Sequence, residues 1–537
     1  MSDSLATLIE RLAGPARQGQ FSRLRRGLEK EGLRVNPVGR IAQTPHPAAL
    51  GSKLTHPHVT TDYSEALLEY ITPVTCRPAD AMAFLGDLHR YTYRYLGDEL
   101  IWPASMPSRL SGNDSVPIAD YGTSNVGTMK RVYRKGLDVR YGRIMQAIAG
   151  VHYNVSLPDD LWKLLRAMEG AADTPMADYR SQRYFGLIRN FRRHSWLLLY
   201  LFGASPALDR SFLPDGREIP DKLQAHGTET LISPWATSLR MSDLGYQNKV
   251  QAQLKICFNS LSNYVNTLRN AISTPWPAYA ALGVKDGAAW RQLNANILQI
   301  ENEYYSDIRP KRVTRHGETP SQALEASGVE YIEVRCLDLN PLLTLGLDET
   351  QIHFVDAFVM WCLLAESPWI SDEECESLDD NRRLVVERGR DPELRLCDQG
   401  RGRSVAEWGG EILAAIDGVA GLLDELEEGN PHRDAVAALA PRLADPSLTP
   451  SGQLLARLKE SGEEFSDAML ALAREQAERL RCEPMDPARQ ALFEELVGIS
   501  QRQQQEIEAA DRVDFDDFLA DYFARARESR IIGEVSP

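Results

Sequence analysis

Four short runs before about residue 400 alternate apolar and polar positions with the period of a β-strand. In RGLEKEGLRV (26–35) the residues Gly27, Glu29, Glu31, Leu33 and Val35 share parity, so a strand here turns Glu29 and Glu31 to one face. GVHYNVSL (150–157) alternates more cleanly, with Val151, Tyr153, Val155 and Leu157 on an apolar face and His152, Asn154 and Ser156 on a polar one. ALLEYITPV (66–74) holds a single acid, Glu69, inside an apolar run, and VEYIEVRCLDLNP (329–341) puts Glu333 and Arg335 on one face. Any one of these acids reads as a solvated position on a half-exposed sheet. Gathered on one sheet face beside His152, they need a cation to neutralise them. A hard divalent ion with oxygen ligands suits such a set, and Mg²⁺ that also contacts a substrate phosphate is the commonest arrangement.

Beyond about residue 400 the texture changes to Ala, Leu, Glu and Arg with apolar residues at helical spacing, as in 454–479 and 516–527, which predicts amphipathic helices. The longest apolar runs, 196–202 and 354–365, fall well short of a membrane span and predict buried helices. The expected organisation is an α+β catalytic body over 1–400 and a mainly helical C-terminal region over 401–537 packed on it, without repeats.

Composition narrows the chemistry. A formal charge of −16 argues against nucleic acid as the main partner, so anionic substrates must be held by local cations or metal. The N-terminus lacks the apolar core of a secretory signal, and no run is long enough to enter a membrane, so a cytoplasmic location is expected. Seven scattered cysteines without a C-x-x-C pair fit free thiols in a reducing compartment. There is no P-loop, Rossmann fingerprint, G-x-S-x-G or H-E-x-x-H. ATP, if bound, needs an acid-rich metal site plus discrete cations. RPKRVTR offers Arg309, Lys311, Arg312 and Arg315 for its phosphates, although a basic run is more often a solvated loop.

At these runs the sequence resembles the proteobacterial glutamate–cysteine ligase family. The matching pieces are RGLEKEGLRVN (26–36), HPAALGSKLTHPHVTTDYSEALLEYITPV (46–74), DLHRY with GDELIWPASMP (87–107), and YGTSNVGTMKRVYRKGLDVRYG (121–142). They continue in family order with QAIAGVHYNVSLP (146–158), SLRMSDLGYQNK (238–249), QIENEYYSDIRPKR (299–312) and YIEVRCLDLNP (331–341). Past about 370 the resemblance rests on helical texture and QRQQQEIEAAD (501–511). Lys30 and Gly32 flank Glu31 where the family usually shows Arg and Thr, and a glycine inside a strand is expected to loosen it.

The resemblance implies a glutamine-synthetase-like fold, a curved and mainly antiparallel sheet with surrounding helices. It implies ATP-dependent joining of the glutamate γ-carboxylate to cysteine through a γ-glutamyl phosphate, the first step of glutathione synthesis. ATP is then a co-substrate, Mg²⁺ the metal with Mn²⁺ as a substitute, glutamate and cysteine the other partners, and a monomer the simplest state. By position, Glu29, Glu31, Asp62, Glu69, His152 and Glu333 resemble the metal ligands or their immediate surroundings. Arg335, beside Glu333, resembles the residue on the transferred phosphoryl group. Arg240 resembles the partner of the glutamate α-carboxylate, with Tyr246 and Tyr305 near it. Tyr133, Leu137, Gln146 and Asn154 resemble residues shaping the amino-acid pockets, with Tyr133 on the cysteine side, and Arg309, Lys311 and Arg312 fall to the ATP phosphates. Three other readings stay open: a related glutamate–amine ligase with another acceptor, a phosphotransferase that stops at activation, and a silent metal- and nucleotide-binding protein.

Overall fold

The computed structural model describes residues 5–213, 218–245, 254, 256–315 and 317–527. Its centre is a seven-stranded sheet in which every pairing is antiparallel. The strands are β1 (Arg25–Val35), β2 (Val59–Thr61), β3 (Leu67–Ile71), β4 (Leu100–Ile101), β5 (Val151–Ser156), β6 (Ile308–Lys311) and β7 (Tyr331–Leu337). They lie in the order β6-β7-β5-β1-β3-β2, with β4 pairing the end of β1. All four alternating runs of the sequence are therefore neighbours in one sheet.

Register carries the parity argument across strands. Glu29 lies opposite His152, Glu31 opposite Glu69, and Asn154 opposite Glu333, so the polar sets of β1, β3, β5 and β7 share one face. A register shift between Val334 and Leu337 marks a bulge, a feature that bends a strand. Gly32 does not interrupt β1. It pairs with Leu68, and a Cβ there would stand 3.0 Å from the Ile101 side chain and 3.2 Å from the Tyr70 ring. The glycine seats those two side chains, and their packing holds the strand that its backbone freedom would loosen.

Helices α1 (Pro78–Tyr93) and α2 (Glu349–Leu364) cover the back of the sheet. Most of α2 is buried because the sheet lies on one side and other helices, including Val405–Asp424 and Pro431–Leu439, lie on the other. Trp196–Phe202 is buried throughout. The 454–479 stretch is two helices, Pro450–Ser461 and Phe465–Cys482, because Gly462 takes the left-handed conformation (φ 68°) that ends a helix. The C-terminal helices pack on the body: Val405–Asp424 against Leu5–Arg17 and α2, and Phe465–Cys482 against α1. Residue 400 forms the turn of a hairpin whose strands, Arg395–Asp398 and Arg401–Ser404, are hydrogen-bonded to each other.

Candidate active site

On the front face the carboxylates converge on His152. Its Nδ1 lies 3.2 Å from Glu29 Oε2 and 3.5 Å from Glu333 Oε1, and its Nε2 lies 3.7 Å from Glu31 Oε1. Glu29, His152 and Glu333 have ligand atoms within 4.8 Å of one another, a spacing that one metal ion can bridge. Asn154 Nδ2 donates to Glu29 Oε1 at 2.8 Å, and the Gly150 N–H donates to Glu31 Oε2 at 2.6 Å. These contacts fix the carboxylates without neutralising them.

The electrostatics divide the acids. Burial and the nearby Asp62 push Glu31 up to about 8. Burial, Glu29 and Asp62 raise Glu69 well above the usual carboxylate range, and no described residue gives its carboxylate a hydrogen bond or ion pair. Against the pull of burial, Arg335, Lys311 and His152 hold Glu333 well below that range. Arg335 Nη1 donates to Glu333 Oε1 at 2.8 Å, while the buried Arg335 Nε has no partner among the described residues. Glu333 Oε2 accepts no hydrogen bond from the described residues, and Lys311 Nζ stands 3.5 Å from it. A buried carboxylate cluster short of positive charge fits a hard divalent cation.

A cleft of about 120 Å³ opens beside this cluster. Glu31, Asp62, His152, Arg335 and Arg309 line its charged side, and Arg240 and Tyr305 lie in the same wall. A further stretch of the lining comes from α3 (Asn125–Tyr141), whose Tyr133, Leu137 and Tyr141 recur at four-residue spacing and so share a helix face; Gln146, just after the helix, completes it. Arg240 is buried, donates to the Arg335 carbonyl at 3.1 Å and lies 3.6 Å from Asp338, which is itself held by Ala204, Ser205 and Ser238. A Cβ at Gly150 would run into the Arg240 guanidinium, so glycine is what lets Arg240 pass β5.

Of the residues expected from the sequence, the structure brings together Glu29, Glu31, Asp62, Glu69, His152, Asn154, Glu333 and Arg335, with Arg240, Tyr305, Tyr133, Leu137 and Gln146 around the same cleft. Tyr246 lies outside the described residues. The three basic residues separate. Lys311 faces Glu333; Arg309 lines the cleft and donates to the Asn302 and Tyr304 carbonyls; Arg312 donates to the Gly328 carbonyl at 3.0 Å. Arg134, Tyr141 and Glu303 were missed. Arg134 donates to the Asp62 carbonyl at 2.7 Å, and Glu303 accepts from Arg140 at 3.0 Å and from the Tyr141 hydroxyl at 2.6 Å. The step of four from Tyr133 to Leu137 points onward to Tyr141. Glu303, in a single 3₁₀ turn (Glu301–Glu303), leaves no such signal.

The family model described as glutamate-cysteine ligase matches residues 9–385. A glutamate–cysteine ligase of Azotobacter vinelandii is 49% identical over 98% of this chain and 99% of its own length. One from Pseudomonas putida strain W619 is 51% identical over 93% of this chain and 94% of its own. Among solved structures, a glutamate–cysteine ligase from Francisella tularensis in complex with AMP matches with a TM-score of 0.88 at 33% identity, covering 94% of this chain and 99% of that one.

Proposed function

The chain belongs to the glutamate–cysteine ligase family, and we propose that its cleft joins glutamate to cysteine at the expense of ATP on the residues described above. A carboxylate is a poor electrophile, so the reaction needs activation. The γ-phosphoryl group of ATP passes to a γ-carboxylate oxygen of glutamate, its bond to the bridging oxygen breaks, and ADP leaves. The cysteine amine then attacks the acyl carbon, loses a proton and expels inorganic phosphate.

Glu29, Glu31, Glu69, His152 and Glu333, with Asp62, would hold Mg²⁺, for which Mn²⁺ substitutes. The observation that carries this assignment is the convergence of Glu29, His152 and Glu333, whose ligand atoms lie within 4.8 Å of one another, with Glu31 3.7 Å from His152. Bound there, the ion supplies the neutralisation that these carboxylates and the ATP phosphates both require. Arg335 has a free Nε–H beside a fixed Nη1, so its guanidinium edge can donate to oxygens of the transferred group. Lys311 and Arg309 add positive charge on the same side. Arg240 receives the glutamate α-carboxylate beside Tyr305, and the α3 wall of Tyr133, Leu137 and Tyr141 with Gln146 shapes the cysteine side.

No helix among the described residues is long and apolar enough to cross a membrane, and all seven cysteines are free. Those thiols support placing the reaction in the reducing cytoplasm. The test is ADP release from purified protein with glutamate, Mg²⁺ and a panel of amino-acid acceptors. Cysteine should stimulate it most; no stimulation above glutamate alone sinks the assignment, and preference for another amine identifies the related ligase.

A further inference from the structure

The QRQQQEIEAAD run (501–511) contributes no residue to the cleft, yet it grips the start of the helix that forms the cleft's acceptor wall. The first turn of α3 leaves N–H groups with no partner inside the helix. Ser124 accepts one, from Gly127, at 3.1 Å. Asp511 accepts another: its Oδ2 lies 2.6 Å from the Asn125 nitrogen. Glu508 Oε1 accepts from the Thr123 N–H at 3.0 Å, and the Asn125 side chain donates to the Val513 carbonyl at 3.0 Å. At Gly122 (φ 88°) a Cβ would run into Gln504 and Glu508, so this close approach requires glycine.

The chain then enters its last described helix, Phe515–Arg527. Leu519 is buried there in a small core with Val132 and Leu293, set apart from the main core, and Phe515 and Phe523 pack beside it with Met129 and Tyr133. Tyr133 thus both lines the cleft and packs against the small core that the C-terminal helix completes. Among the described residues, Tyr133 is the one member of this second core that also lines the cleft.

We propose that residues 508–523 position the acceptor wall, with Asp511 and Leu519 as positioning residues that act through α3 on Tyr133. The C-terminal segment thereby acts chiefly on the affinity for cysteine, since Tyr133 is the residue of α3 that joins the small core to the cleft. This rests on the assignment of Tyr133 to the cysteine side.

Steady-state kinetics of full-length Asp511→Ala, Leu519→Ala and Leu519→Met, with Tyr133→Ala as reference, tests it. Asp511→Ala and Leu519→Ala should each raise KM for cysteine about fivefold, the scale of a lost helix cap, with KM for ATP and glutamate within about twofold of the parent. Leu519→Met, which refills the small core, should return cysteine KM to near the parent value. An unchanged cysteine KM in both alanine variants, or an equal rise in all three Michaelis constants, overturns the proposal. If Leu519→Ala does not fold, Asp511→Ala decides alone. Should Tyr133→Ala leave cysteine KM unchanged, the assignment of the acceptor side falls and takes this inference with it. Should Tyr133→Ala raise it while Asp511→Ala and Leu519→Ala do not, only the inference falls.

Discussion

The two faces of β1 bury similar charges and treat them in opposite ways. On the back, Arg26 pairs with Asp356 at 2.8 Å, the Tyr153 hydroxyl donates to the same carboxylate, and Asp424 holds the neighbouring His432 at 2.8 Å. Arg34 likewise reaches Glu99 and the Thr44 hydroxyl, each at 2.8 Å. These charges find their opposites within the chain, and against the pull of burial Arg26 holds Asp356 below its ordinary range. On the front, Glu31 and Glu69 lack that compensation and are driven toward the neutral form. Buried charge that is balanced internally is architecture, whereas buried charge left short of a partner marks where a ligand completes the site.

The sharpest break in that comparison is to neutralise the front. Glu31→Gln and Glu69→Gln should each nearly abolish ligation while leaving the fold intact, because a carboxamide keeps the size and loses the charge that a hard cation needs. Metal-free stability should move the other way. The folded-state value of Glu31, about 8, lies above its ordinary 4.5, so its contribution to stability is complete below pH 4.5 and is lost as pH rises through 8. In chelator, the melting temperature of the parent should fall between pH 5 and 8 more than that of Glu31→Gln. Parallel melting curves, or unchanged kinetics in both variants, would return these acids to a merely solvated face.

The matching cut on the back is Asp356→Asn. It strands the buried Arg26 guanidinium and should cost about 3–5 kcal/mol of stability, the usual penalty for breaking a buried ion pair. Urea unfolding measures that loss, and kcat and KM per folded molecule should stay at the parent level. A fall in kcat with stability intact would mean that the back face takes part in the chemistry after all.

Arg335→Lys probes the front more finely. Lysine keeps the charge and loses the planar fork, so kcat and kcat/KM should fall together by about 10²–10³, the scale of a missing oxyanion donor, with little change in KM for ATP. Activity within a few-fold of the parent would leave Arg335 as a neutraliser of Glu333 alone.

How far this division was legible in the sequence depends on the element. A period of two assigned Glu29 and Glu31, His152 and Asn154, and Glu333 and Arg335 to their faces, because a strand has two sides and each residue must take one. The convergence of those strands came from pairing, which no single run encodes. Arg240 and Tyr133 were accessible only through resemblance, since one is an isolated buried arginine and the other one aromatic among many. The back-face network was invisible because Arg26, Asp356, Asp424 and His432 are scattered over four hundred residues. The break at Gly462 is hidden in the sequence because the apolar spacing on both sides of it is helical.

Lys30 is the exception on the back face, and it sharpens the comparison with the smallest effect. Its Nζ lies 2.8 Å from His89 Nε2 and near the Tyr70 ring, with no carboxylate partner among the described residues. His89 Nδ1, 2.9 Å from the Leu85 carbonyl, acts as donor there, which leaves Nε2 as the acceptor for the lysine. Burial pulls Lys30 down to about 7. The folded chain then binds fewer protons than the unfolded one between about pH 7 and the ordinary lysine value of 10.5, so the parent gains stability as pH rises across that window. Lys30→Met removes the buried amine and leaves His89 Nε2 unpaired. These opposing changes should leave the variant about 1 kcal/mol more stable at pH 7. The advantage should shrink and then reverse toward pH 10, where the parent lysine is neutral at no cost and still bonds His89. Unfolding of both proteins at pH 7, 8.5 and 10 measures it. A difference that does not change with pH would show that Lys30 stays charged, and that the back face too holds a cation without its opposite.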